Sequence, residues 1–585
     1  MKNKKIISLL SVVFMITGCG SSQSDKQSET DSTVEDTSIA EEAKVKPSST
    51  SFEYTDHADD TNTKVNFDKT MWYRNDLDTV KLPDPDVIQG EDGKYYVYGT
   101  TDRTGSQGFD VYQTDDFNKY NLYKDVYPKP SGHWATGGAM FAPEIRYING
   151  LYYLYYSDSA ASDGRRSITV LTSESPTGPF KDYVGTDADG NELDGTKQAI
   201  FKCIDDALGF DVLDQSIFID DDGEMYMYWS VYQTGVMQYI QGAKMKDPVT
   251  LDMSTVKTLI VPASPSADYP ALKTMGWEAY ETFRVAEGPY MIKSPVNGKY
   301  YLSYSVNHYP DRYYAVCYAE ADSPLGSFEK PYDETRNFKV TDKTDSDHQW
   351  TNLLLGYAGG MSTSKVYKQW EGFMSGTAHH CFFKIGDDYQ IGYHAHINRS
   401  NSDNGRAFGF DALYFDEVTG RPYTKGPSYS VQPLPEGISG YKNVAYKAKV
   451  KGDNVENLSY VNDRKIVEHY NLSQEKDKEV KLGNGNSYIE IDLGKEYTIA
   501  GIGIYNSANY SNYLEDISFI NFGNGNVILD TTFRTSEYVD DEKEFIRPCS
   551  AFTYQFNEIK TDKIIIGFDT DGQRQINEIE VYGRD

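Results

Sequence analysis

The chain has 585 residues, too many for one ordinary core, so two or more domains are expected. Its 57 Lys and Arg against 88 Asp and Glu leave a formal charge of −31, which argues against nucleic acid and against a basic membrane-binding face. Five cysteines without metal-ligand spacing suggest neither a zinc site nor a disulfide framework.

In chain order, residues 1–19 come first. Lys2, Lys4 and Lys5 precede the apolar run Ile6 to Ile16, which is too short to cross a bilayer and reads as a signal peptide. Its end, Ile16-Thr17-Gly18-Cys19, resembles the lipobox of bacterial lipoproteins. That resemblance implies acylation of Cys19 and attachment to the outer face of a bacterial cell membrane by this lipid alone. Residues 20–68 are polar and poor in large apolar side chains, and are expected to form a flexible linker.

Residues 69–436 carry a repeat: DGKYYVYGT from Asp92, NGLYYLYYS from Asn149, DGEMYMYWS from Asp222, NGKYYLSYS from Asn297 and the degenerate GDDYQIGYH from Gly386. Each copy is a turn followed by an aromatic strand, and the intervals suit a propeller rather than a solenoid. Ahead of the turns stand PDPDVIQ, APEIRYI, LDQSIFID, AEGPYMIK and AHHCFFKI, read as five inner strands. If these share one phase, Asp84, Glu144, Asp214, Glu287 and His379 gather around one axis. Residues 441–585 change texture; SYIEIDLGKEYTIAGIGIYNS alternates apolar and polar positions, as a β-sandwich does. The expected fold is all-β, a five-bladed β-propeller followed by a β-sandwich.

Asp84, Asp214 and Glu287 would place three carboxyl groups at one channel mouth. Crowded carboxylates raise one another's pKa, so one can stay protonated beside an ionised neighbour, as acid–base catalysis requires.

At these residues the chain resembles glycoside hydrolase family 43, over roughly 70–435. The Asp-Pro of PDPDV implies a general base at Asp84. The acid before SIFIDDDG implies a pKa modulator at Asp214, and the Glu of Glu-Gly-Pro implies a general acid at Glu287. Phe141-Ala142-Pro143-Glu144 stands where the family has Trp-Ala-Pro, and Ala378-His379 where it has Gly-His; Gln215 follows the second Asp in place of the usual Pro. The resemblance implies inverting, single-displacement cleavage of α-L-arabinofuranosyl or β-D-xylosyl linkages in plant hemicellulose or pectin side chains. It further implies Phe141, Glu144, Trp134 and Arg406 as sugar contacts and Ca²⁺ in the channel near His379. Residues 441–585 resemble the discoidin-like (coagulation factor type C) sandwich through NVAYKAKV, IEIDLGKEYTIAGIGIY and INEIEVYG. This implies a carbohydrate-binding or structural module, which in many such domains holds Ca²⁺, with Tyr505, Tyr510 and Tyr513 as stacking candidates. Two alternatives stay open: a glycan-binding surface lipoprotein without catalysis, and a retaining five-bladed enzyme acting on fructans.

Overall fold

The computed structural model describes residues 48–51, 70–75, 79–101, 108–136, 140–160, 164–262, 278, 284–310, 314–331, 337–338, 348–349, 352–356, 374, 376–396, 406–428, 430–467, 476–508, 510–514, 517–523, 527–528, 538–540, 543–545 and 551–585. The signal peptide, Cys19 and most of the linker lie outside them.

Five antiparallel sheets stand around an axis, each led by an inner strand: β1 (Asp86–Gln89), β2 (Phe141–Ile148), β3 (Asp211–Ile219), β4 (Ala286–Lys293) and β5 (His380–Ile385). Each inner strand packs on the next and β5 returns to β1, so the ring closes as five blades, I to V. The tight turns after the inner strands have a local cause. Asn149 and Gly150 take φ of 52° and 86°, the left-handed pair of a two-residue hairpin. The strand after each turn lies between neighbouring blades and is covered on both faces. Its side chains are therefore apolar or aromatic without alternation, as in Tyr155, Tyr156, Tyr228, Trp229 and Tyr301, all fully buried. The tyrosines of the repeat build the clusters between blades.

Closure comes from the two ends of the propeller. Trp72 and Tyr73 pair with Pro433 and Gln432. The Asn75 side chain accepts from Phe410 N at 3.0 Å and donates to the carbonyls of Phe410 and Ser428 at 2.9 and 3.0 Å.

The C-terminal region is built on three long strands, β6 (Gly485–Asn506), β7 (Ala551–Thr570) and β8 (Arg574–Arg584). β7 follows β6 along both halves. The first half of β6 also pairs with Lys449–Asp453 and the second half with β8, with register shifts between Asp492 and Tyr497 and between Ile499 and Gly501. Ile489, Ile491, Ile502, Ile504, Ile564, Ile566, Ile579 and Val581 form its dry core. Tyr505 and Tyr513 are buried, which removes both as stacking platforms; the Tyr510 side chain lies outside the described residues.

Candidate active site

The inner strands of blades I to IV begin with one backbone device. Asp84, Ala142, Asp214 and Gly288 have φ of 54°, 44°, 52° and 56°. In blades II, III and IV the pairing slips there, between Phe141 and Glu144, Leu213 and Ser216, and Glu287 and Tyr290. Such a bulge inserts a residue and re-aims the side chains beside it. At the fourth position a Cβ would come 2.8 Å from His379 Nδ1, so Gly288 is required by space as well as by φ.

These backbone N–H groups cannot join the distorted ladder, and the preceding blade satisfies them. Asp84 N donates to His394 Nδ1 at 3.0 Å, Ala142 N to Thr100 Oγ1 at 2.8 Å, Asp214 N to Ser157 Oγ at 3.2 Å and Gly288 N to Ser230 Oγ at 3.2 Å. His394, Thr100, Ser157 and Ser230 are each the last residue of a sequence repeat. That shared position was a signal available in the sequence and not used.

The device brings Asp84, Asp214 and Glu287 together. Asp84 accepts from Thr100 Oγ1 at 2.7 Å, and Arg406 Nη1 stands 3.4 Å from its other oxygen. Asp214 is raised above the usual carboxylate range by burial, opposed by His379, with the Asp84 charge adding to the rise. Glu287 accepts from the Tyr314 hydroxyl at 2.8 Å. Its carboxyl is pushed up to about 8, first by burial and then by the Asp214 charge, with a smaller contribution from Asp84. Tyr314 stacks on His394 with ring centroids 5.8 Å apart, so the partner of Glu287 rests on the partner of Asp84. Arg166, 3.0 Å from Asp211, is close enough for its charge to lower both Asp214 and Glu287. Tyr314 and Arg166 lie outside the repeat phrases, and nothing in the sequence marks them.

Other expected positions fall differently. His379 lies against Gly288 and Phe141 is half-exposed beside Ala142. Trp134 is half-buried, with its indole N–H donating to Gly195 O at 3.0 Å. Glu287 stands one residue before the left-handed position that Asp84 and Asp214 occupy, and Glu144 departs further. The bulge moves it two residues past the left-handed position, level with Asp86, where it binds Ile217 N at 2.7 Å and the Arg146 guanidinium.

At the level of Asp86 and Glu144 the donor set does not suit a Ca²⁺ ion. Among the described residues no three His, Cys, Asp or Glu side chains converge as a metal site. The carboxylates facing the channel, Asp86 and Glu144, are bound to Arg146. A hard cation needs six or more oxygens, and these are already spoken for by a cation of the chain.

A buried carboxyl raised by burial and by neighbouring carboxylates suits the acid of glycoside cleavage. Comparison with known proteins agrees. The chain is 23% identical over 360 residues to a β-D-galactofuranosidase of Aspergillus niger, spanning 59% of this chain and 82% of that protein. It is 25% identical to extracellular endo-α-(1→5)-L-arabinanase 2 of Bacillus subtilis over 38% of this chain, but spans only 44% of that relative. A solved thermostable family-43 glycoside hydrolase aligns at 27% identity over 62% of this chain and 99% of its own, with a TM-score of 0.47. The sequence pattern of the glycosyl hydrolases family 43 matches residues 73–417, and the chain belongs to that family.

Proposed function

We propose that the protein is a lipid-anchored glycosidase of the bacterial cell surface that releases α-L-arabinofuranosyl or β-D-xylosyl units from plant polysaccharide fragments with inversion. Asp84 is the base: Thr100 and Arg406 hold its oxygens, and it takes a proton from the attacking water. Glu287 gives its proton to the departing oxygen, and Asp214 keeps that proton in place by its charge. The observation that carries this reading is the raised Glu287 carboxyl beside two further carboxylates. Relatives named arabinanase, arabinoxylan arabinofuranohydrolase and β-xylosidase support the sugar class. The lipobox at Cys19 supports the location. The C-terminal region serves as a discoidin-like appendage that holds the propeller near the polymer.

The test is release of p-nitrophenol from α-L-arabinofuranoside, β-D-xyloside and β-D-galactofuranoside by residues 20–585, with arabinan and xylan alongside. Proton NMR identifies the first anomer formed. Activity on a pentoside with inversion, falling by about 10²–10⁴ in Glu287→Gln and in Asp84→Asn, is expected. Retention, or full activity in either variant, would overturn the assignment.

A further inference from the structure

Below the carboxylates one side chain spans the inner strands. Arg146, on β2 of blade II, sends its guanidinium into the middle of the inner strands, and all five of its N–H groups are engaged. Nε donates to Ile217 O of blade III at 2.9 Å. Nη1 donates to Asp86 Oδ2 of blade I at 3.1 Å and to Ile145 O at 2.7 Å. Nη2 donates to the Tyr290 hydroxyl of blade IV at 2.9 Å and binds Glu144 of its own blade. The acceptors are themselves committed. Tyr290 donates to Asp86 Oδ1 at 2.9 Å, Ile145 N to Asp86 Oδ2 at 2.8 Å and Ile217 N to Glu144 Oε1 at 2.7 Å. Blade V closes on the same ring through His380 and Phe382, whose rings lie 6.2 and 5.7 Å from that of Tyr290.

We propose that Arg146 is the resident axial cation of this propeller, a positioning residue that ties four blades together directly beneath the carboxylates and does the work a channel metal ion would otherwise do. A guanidinium suits this task because its planar fork reaches partners in several directions at once, and it cannot lose its charge. Burial raises the Glu144 carboxyl and the Arg146 charge opposes that rise, so the guanidinium is the built-in counter-charge of the ring. The strands that converge on Arg146 are those that carry or follow Asp84, Asp214 and Glu287. Asp86 follows Asp84 by two positions, and Ile217 and Tyr290 follow Asp214 and Glu287 by three, so displacement of the ring displaces the carboxylates. The positioning role rests on the catalytic assignment above; the cation role does not.

The first experiment uses the folded wild-type protein. Dialysis against EDTA followed by added CaCl₂ should leave both Tm and kcat/KM unchanged. A fall in kcat/KM on chelation that Ca²⁺ restores would overturn the proposal. The second uses Arg146→Ala and Arg146→Lys. Arg146→Ala, which leaves Asp86 and Glu144 without their cation, should lower Tm on the order of 10 °C. Millimolar ethylguanidinium should restore Tm and kcat together, with KM within about twofold. Arg146→Lys keeps the charge but cannot reach four blades, and should fold with kcat reduced about tenfold or more. Wild-type Tm and kcat in Arg146→Lys would also overturn the proposal. Absence of glycosidase activity in the wild-type protein, with these Tm responses intact, would instead count against the catalytic assignment alone.

Discussion

Burial and the Asp214 charge both act on Glu287, and they make its titration visible in activity. An acid catalyst works in its protonated form, so kcat/KM should fall as pH rises through about 8. Neighbours move this limb in opposite directions. Asp214→Asn removes a charge that opposes ionisation and should shift the limb to lower pH. Tyr314→Phe removes a hydrogen bond that favours the ionised form and should shift it to higher pH. A pH–rate series on the three proteins checks both signs; shifts in the same direction would mean that the titrating group is not Glu287. Stability gives an independent reading. Between the ordinary glutamate range and about 8, the folded protein holds a proton that the unfolded chain has released, so this group lowers stability as pH rises. Glu287→Gln should therefore raise Tm more at pH 8 than at pH 5. Asp84, Asp214 and Glu287 were legible because each carries a local phrase: Asp-Pro, the acid before SIFIDDDG, and Glu-Gly-Pro. Tyr314 and Arg166 were not, because they stand at the starts of the third strands of blades IV and II and leave no local pattern.

The five hairpins were legible for the same kind of reason. A hairpin turn needs a left-handed residue, and the Gly of Asn-Gly or Asp-Gly supplies it in four of the five, at Gly93, Gly150, Gly223 and Gly298, ahead of an aromatic strand. Their phase was harder to read. A bulge adds a residue to one strand without any mark in composition, so counting along the repeats aligned Glu144 with Asp214 when Ala142 stands at that place. The ring of acceptors reveals the phase, since Thr100, Ser157, Ser230 and His394 hold the left-handed residue of the following blade. A small hydroxyl thus has a specific role at the end of the second strand in blades I, II and III, and an imidazole has it in blade V. Ser230→Ala removes one acceptor of the Gly288 N–H, which Asp214 also engages, and should cost about 1 kcal/mol and loosen the loop that bears Glu287. The expected result is a kcat reduced about tenfold with KM nearly unchanged, and recovery in Ser230→Thr. An equal loss in Ser230→Thr would show that the volume of the serine, not its oxygen, is what matters.

At the scale of the whole molecule, propeller closure and the C-terminal sheet share their anchors. Trp72, fully buried, pairs with Pro433 to close the ring. The same ring meets Tyr582 of β8 edge-on at 5.1 Å, and its indole N–H donates to Gln555 Oε1 of β7 at 3.0 Å. Beside it Lys425, from the end of blade V, reaches Glu580 at 2.6 Å with side chains only 7% and 2% exposed. The Lys425 ammonium also stands 4.1 Å from the ring centre of Tyr505, whose hydroxyl donates to Gln432 at 2.8 Å. None of this was legible in the sequence, because the partners lie more than seventy residues apart and each is ordinary in its own segment. A buried charge pair holds its partners to one geometry, since either ion alone in that place is strongly unfavourable. Lys425→Met should therefore cost about 3–5 kcal/mol by leaving Glu580 charged and unpaired, while Lys425→Met with Glu580→Gln should recover a large part of it. Because Trp72 belongs to both structures, the propeller and the C-terminal sheet should unfold together. Scanning calorimetry of residues 69–585 is expected to give one endotherm, moved as a whole by Lys425→Met. Two endotherms, of which only one moves, would mean that the shared anchors do not couple the two parts.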